Sequence, residues 1–195
     1  MDLTTSIRVK RLVDIDKPDW DELILDMISA VSAEVEGVID RKTLIGAYTE
    51  HFDVPLNGSD QVFSLEAYPV TAVTTVHYDP DREFAAADLL DADEYALLKN
   101  GKTGRLLVFS ELGAWPSALK VVYTGGMSTD TNDFVKDFPQ IAYAVDLQVQ
   151  FLFQRRRDLG VASISGNAGT VTHERIALMP IVREILEPHR RHAYR

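Results

Sequence analysis

Apolar positions recur with helical spacing over residues 137–160, DFPQIAYAVDLQVQFLFQRRRDLG. Ile141, Ala144, Val145 and Leu152 form one stripe. Leu147, Val149, Phe151 and Phe153 flank it, and only Gln140, Asp146, Gln148, Gln150 and Gln154 interrupt the apolar surface. A helix this apolar packs on several sides, so the pattern predicts a central helix with other elements laid around it. Asp137 is the candidate N-cap and Pro139 fits the first turn. Arg155, Arg156 and Arg157 suit the carbonyl end, and Gly160 is the expected stop.

A second helical stripe, Trp20, Leu23, Ile24, Met27, Ile28, Val31 and Val35, predicts a helix over residues 18–36. Pro18, Asp19, Asp21 and Glu22 favour its start, and Gly37 is expected to close it. Residues 38–50 read as a short helix or turn leading into strand. From 51 to 127 the pattern turns to β. Val62, Phe63 and Leu65 begin it, Pro69 breaks the run, and VTAVTTVHY (70–78) is rich in β-branched residues. Residues 95–99 and 105–109 read as a hairpin around Asn100-Gly101, and 118–123 as a further strand closed by Gly125-Gly126. Residues 161–177 read as a long loop or a protruding hairpin, and 179–187 as a last helix ended by Pro188.

The expected fold is α+β: a helical bundle around a long central helix with an inserted small antiparallel β-sheet. It is read as one domain, 1–195. Residues 1–15 are expected as an N-terminal arm, 16–50 and 133–188 as the helical body, 51–127 as the β region, 161–177 as a long loop and 189–195 as a C-terminal arm.

Composition narrows the function classes. The chain has 195 residues, enough to bury roughly 70% of its unfolded surface without staples. It has no cysteine, which excludes disulfides, thiol nucleophiles and cysteine metal sites. No apolar run is long enough to span a membrane, and the first residues lack a signal-peptide pattern. A net charge of −10 argues against general attraction to nucleic-acid phosphates. It leaves a DNA-binding role to Arg8, Lys10, Arg11 and Arg155–Arg157 as a minor reading.

Candidate chemistry is thin. His189 and His192 have ligand spacing but lie among arginines that repel a cation. Asp79, Asp81 and Glu83 alternate like part of a calcium loop but lack its glycine and distal glutamate. Gly101-Lys102-Thr103 lacks the upstream glycine of a phosphate loop. Ser163, His173 and Asp158 carry no nucleophile-elbow signature. The reading is of a non-enzyme with no cofactor and no metal. The alternative is a small metal- or ligand-binding enzyme with a carboxylate site in the 79–94 loop. The arm, the loop and the basic tail instead suggest an assembly subunit that orders extensions on partners.

Five motifs then occur in a telling order: Leu65-Glu66-Ala67-Tyr68-Pro69-Val70, the strand from Val73 to Val76, Lys120-Val121-Val122-Tyr123-Thr124-Gly125-Gly126, Phe138-Pro139 opening a helix that ends in arginines, and Ile185-Leu186-Glu187-Pro188-His189-Arg190-Arg191. No single motif is specific, but their order resembles the head–tail connector proteins of long-tailed bacteriophages, also called adaptors or head-completion proteins. His189 stands where that family usually has tyrosine. The resemblance implies a virion neck protein made in the host cytoplasm. It implies a homo-oligomeric ring, commonly a dodecamer, beneath the portal protein, with the next neck or tail-completion protein on its other side. Genomic DNA would pass through without sequence-specific binding, and no membrane is involved. Portal binding is then expected at Pro188, His189, Arg190, Arg191, His192, Tyr194 and Arg195, where tyrosine and arginine suit an anchoring role. Contact with a neighbouring subunit or neck component is expected at Gly166, Asn167, Gly169 and Thr170.

Overall fold

The computed structural model describes residues 1–55, 61–109, 111–156, 163–166, 169–172 and 178–191. The chain forms an α+β fold in two compact units. One comprises Met1–Ile39 and Asp130–Arg190, and the other Asp40–Thr129 together with Arg191.

The first unit is helical. It contains α1 (Ser6–Val13), α2 (Asp21–Ile39), α3 (Thr131–Asp137), α4 (Pro139–Gln154) and α5 (Pro180–Leu186). Helix α4 touches each of the other four. Ile141, Ala142, Ala144, Val145, Val149 and Phe153 of α4 are buried, as are Ile24, Ile28, Val31, Val35 and Ile39 of α2. The apolar stripes drive this packing, because burying them removes the surface that water solvates least well.

Several local expectations are corrected here. Asp137 is not the cap of α4 but the last residue of α3. Asp130 caps α3: its carboxylate accepts from Asn132 N (2.8 Å) and Asp133 N (2.9 Å), while α4 follows Phe138 with no side-chain cap. Pro139 disfavours helical geometry at Phe138, so one helix ends there and another begins. Gly37 does not close α2. The helix continues until Ile39 is buried, and Asp40 (φ 53°) takes the left-handed turn instead. Residues 1–15 are no free arm: they carry α1, with Leu3 and Val9 fully buried.

The second unit is β-rich. β1 (Gly46–Phe52) and β3 (Val70–Tyr78) both pair antiparallel with β6 (Leu119–Gly125), which lies between them. β5 (Arg105–Val108) likewise lies between β2 (Gln61–Ser64) and β4 (Tyr95–Leu97). Residues 46–50, expected as the end of the helical body, therefore belong to strand. Alternation explains the placement of β6: Leu119, Val121 and Tyr123 face inward, while Lys120 and Val122 are half-buried. They join Leu65, Val76, Leu106 and Val108 in the core. Residues 95–97 and 105–108 pair as expected around the Asn100-Gly101 turn. Within residues 161–177, Ser163–Gly166 (β7) and Gly169–Thr172 (β8) pair as a hairpin.

Candidate interaction site

In the β-rich unit a cleft of about 180 Å³ is lined by Ser64, Leu65, Tyr68, Lys102, Thr103, Arg105 and Arg191. Its walls follow from local chain geometry. Lys99, Asn100 and Gly101 take successive left-handed conformations (φ 50°, 53° and 76°). They turn the chain so that Lys102 and Thr103 face the end of β2. Gly101 has no alternative, because a Cβ would lie 2.2 Å from Val70 O. Gly104 lets the Tyr68 ring lie against the main chain, where a Cβ would come within 2.7 Å of its Cδ1.

Tyr68 is fixed from the other side by Arg41. That guanidinium sits 3.7 Å from the ring centroid and donates from Nη2 to Tyr68 O (2.8 Å). Burial lowers the Arg41 pKa, while the interaction with Tyr68 opposes the shift. Burial also raises the Tyr68 pKa, against the pull of Arg41 and Arg191. Arg191 closes the cleft. Its Nε and Nη2 donate to Asp40 Oδ2 at 2.9 and 2.8 Å, and its Nη1 donates to Ser64 O at 3.1 Å. Glu66 lies 3.9 Å from its Nη2 and also meets Lys42 Nζ at 3.6 Å. Lys102 is exposed at the rim.

Behind the cleft, the Tyr123 hydroxyl donates to Glu50 Oε1 and accepts from Ala67 N (2.9 Å). Glu50 Oε1 also accepts from Glu66 N (3.0 Å). Burial pushes the Glu50 carboxyl above its usual range, and the bonds from Tyr123 and Glu66 pull it partly back. Burial and the Glu50 carboxylate both raise the Tyr123 pKa. This network holds the segment 65–67 against β6.

The expected portal-binding residues separate. Pro188 and His189 lie in a 3-10 turn, Glu187–His189, and His189 Nε2 is 3.1 Å from Gln140 Oε1. Pro188 and Arg190 are exposed. Arg191, expected in a free tail, is anchored in the cleft wall, with its side chain only 17% exposed. The fork of its guanidinium matches a carboxylate and a carbonyl at once. His192, Tyr194 and Arg195 lie outside the described residues. In the hairpin, Gly166 pairs with Gly169 and Ser165 with Thr170, while Asn167 lies outside the described residues. Sequence reasoning missed Tyr68, Lys102 and Arg105 as one site. The signal available was the glycine pair 101 and 104, which marks close backbone approaches on both sides of Lys102.

The acidic 79–94 loop has its own internal order. The Asp79 carboxylate accepts from the backbone amides of Asp81 (2.8 Å), Glu83 (2.6 Å) and Phe84 (2.8 Å). These bonds, Phe84's foremost, hold its carboxyl below the usual carboxylate range. A carboxylate so engaged turns its oxygens toward the loop rather than toward a cation. No group of three or more potential metal ligands gathers among the described residues. A carboxyl depressed in the folded state adds stability above the ordinary carboxylate pKa near 4, and loses it as pH falls through the folded value. Asp79→Ala is therefore expected to melt several degrees lower than the parent chain at neutral pH. That gap should narrow steadily below about pH 4. A gap independent of pH would show that the amide bonds do not depend on the charge. Ser163 sits in β7, while His173 and Asp158 lie outside the described residues.

Of the basic residues offered for DNA, Arg8, Lys10, Arg155 and Arg156 are engaged within the chain, while Arg11 is exposed. Arg8 pairs with Asp146 at 2.7 Å and Lys10 with Asp21 at 2.7 Å. Arg155 lies over Phe151 (5.1 Å), and Arg156 lies over Phe153 (4.1 Å) and Trp20 (4.6 Å). Arg157 is outside the described residues.

A family model for head completion proteins matches residues 2–192. No curated protein matches the sequence. Chains of several solved structures share the fold, three of them from gene transfer agent particles. The neck of a native gene transfer agent particle computed with C12 symmetry contains a chain 18% identical, covering 88% of this chain and 84% of that one, with a TM-score of 0.56. The neck of an empty particle computed with C6 symmetry contains one 16% identical, covering 98% and 91%, with a TM-score of 0.60. The virion of the native particle contains one 17% identical, covering 100% and 96%, with a TM-score of 0.58.

Proposed function

The chain belongs to the head completion protein family, and we propose that it is a ring-forming neck protein of a virion, joining the DNA-filled head to the tail beneath the portal vertex. The observation that carries this is the family match across residues 2–192. Fold likeness to chains of gene transfer agent necks, solved with C12 and C6 symmetry, supports a ring. The role is structural, not enzymatic. The ring extends the DNA channel and presents its other face to the next neck or tail-completion protein. A charge of −10 per copy suits that channel, since lysines lining it would hold phosphates and slow the passage of DNA.

In this reading residues 188–195 grip the portal. Arg191 roots the segment in the β-rich unit, so the residues beyond it start from a fixed point. Such an origin lowers the ordering penalty of a docking tail. The hairpin residues Gly166, Asn167, Gly169 and Thr170 meet the adjacent subunit or the next neck component. The carboxylate-enzyme alternative is disfavoured by the engagement of Asp79 with three loop amides.

The test is a native mass measurement of the purified chain, alone and mixed with the portal protein encoded in the same genome. A ring-sized species or co-migration with the portal is expected. Deleting residues 192–195, which leaves Arg191 in place, is expected to abolish co-migration without lowering the melting temperature. A persistent monomer in both samples would overturn the assembly role, and unchanged portal binding by the truncated chain would overturn the grip.

A further inference from the structure

The β-rich unit is electrically polar along its strands. The cleft with Lys102, Arg105 and Arg191 lies at the end where Ser64 pairs with Arg105 and Val70 pairs with Gly125. The 79–94 loop lies at the other end. It leaves β3 after Tyr78, which pairs with Leu119, and enters β4 at Tyr95, which pairs with Val108. Nine residues of β3 separate the two ends, a span of roughly 25 Å. The loop end exposes Asp81, Glu83, Asp91 and Asp93, with Arg82 as the exposed cation among them.

The loop end also carries unpartnered apolar surface. Leu89 is 46% exposed, and Trp115 is 53% exposed. Trp115 is tied to this end because its carbonyl accepts from Val54 N, just beyond the Phe52–Leu119 pair. An exposed tryptophan at the same end of the unit as these acids offers an anchor with a charged rim. At the opposite end, the cleft offers the exposed Lys102 beside the half-buried Tyr68 ring, with Arg105 and the anchored Arg191 in its wall. Its volume of about 180 Å³ is below the range of small-molecule pockets, but it admits the head of an acidic side chain.

We propose that the acidic loop of one copy docks into the Lys102–Arg105–Arg191 cleft of the next copy, making a head-to-tail contact through the β-rich unit. This rests on the ring assigned above. A closed ring of more than two copies needs two different, complementary surfaces on each chain. Here the two surfaces lie at opposite ends of one unit and carry opposite charge. Copies of charge −10 repel, so a contact between them is favoured by a local cationic seat for the acids.

The experiment uses two full-length charge-reversal chains and native mass as the readout, with the portal protein present. One carries Lys102→Glu and Arg105→Glu, the other Asp91→Lys and Asp93→Lys. Each alone places like charges in contact, and is expected to raise the concentration needed for half-assembly at least about tenfold. Mixed in equal amounts, they are expected to restore the ring. In an alternating ring the reversed cleft meets the reversed loop, and the native cleft meets the native loop. Lys102→Glu alone, at an exposed position, provides a partial version should the double variant melt early. Rings from either double variant at the parent concentration would overturn the proposal, as would a mixture that fails to assemble while both variants keep the parent melting temperature. A parent chain that never assembles would overturn the ring itself, a distinct outcome.

Discussion

Asp146→Ala is expected to lower the unfolding free energy by about 3 kcal/mol, the low end of the range for breaking a buried ion pair. Asp146 is 1% exposed on α4, yet its carboxylate is fully engaged. One oxygen accepts from Thr4 Oγ1 at 2.5 Å, and the other from Arg8 Nε and Nη2 at 3.0 and 2.7 Å. Removing it strands the buried Thr4 hydroxyl and the inner face of the guanidinium. The Arg8 side chain is 37% exposed, so it can turn partly to water, which is why the upper end of the range does not apply. Denaturant unfolding should show a lower midpoint with an unchanged slope. Amide exchange should show residues 6–13 losing protection before the rest of the helical unit. Arg8→Ala should cost at least as much, about 3 kcal/mol, because it leaves the buried Asp146 carboxylate with the Thr4 bond but no counter-charge. A loss below about 0.5 kcal/mol for Asp146→Ala would mean that α1 is held by its other contacts, the burial of Leu3 and Val9 and the Lys10–Asp21 pair among them.

Gly125→Ala is expected to be more severe, preventing the β-rich unit from folding. A Cβ there would stand 2.1 Å from Ala67 O and 3.2 Å from Pro69 O. Neither carbonyl can withdraw cheaply. Ala67 N is held by the Tyr123 hydroxyl, and Pro69 O accepts from Gly126 N (3.2 Å). The clash is with main chain rather than a flexible side-chain tip, so the loss should exceed about 3 kcal/mol, beyond ordinary overpacking. Gly37→Ala is the matched control. Nothing lies within 4 Å of its added Cβ, and the site is inside α2. That change should stabilise by about 0.5–1 kcal/mol. Soluble yield and melting temperature of the two variants decide the matter. A Gly125→Ala chain that melts within a few degrees of the parent would refute the packing described for 65–69 against β6.

Where contacts are near in sequence, the chain was readable. The β-branched run at 70–78, the hairpin at Asn100-Gly101, the strand at 118–123 and the stripe of α2 all report local pattern. What could not be read depends on distant partners. Asp146 looked like an interruption of an apolar helix because Thr4 and Arg8 lie 142 and 138 residues away. For the same reason Arg8 looked like the free charge of an arm. Gln148 is another interruption of that apolar surface, yet it is buried and accepts from Met179 N (3.0 Å) just before α5. The cleft was hidden because Tyr68, Lys102 and Arg191 come from three separate stretches. The head–tail role was legible only through the order of motifs.

The helical unit is assembled from residues 1–39 and 130–190, with the whole of 40–129 between them. On the ribosome this imposes a schedule. α2 emerges early with Ile24, Ile28, Val31 and Val35 uncovered, and the helix that covers them is not made until the β-rich unit is finished. At ordinary translation speeds the wait is roughly 5–20 s, far longer than helix or hairpin formation. The inserted unit can gain its strands first, and the nascent chain must meanwhile keep an apolar helix from wrong partners. Copies translated side by side on one message would expose the same stripe at the same time, so crowded synthesis is the stage at which this chain is most vulnerable to aggregation.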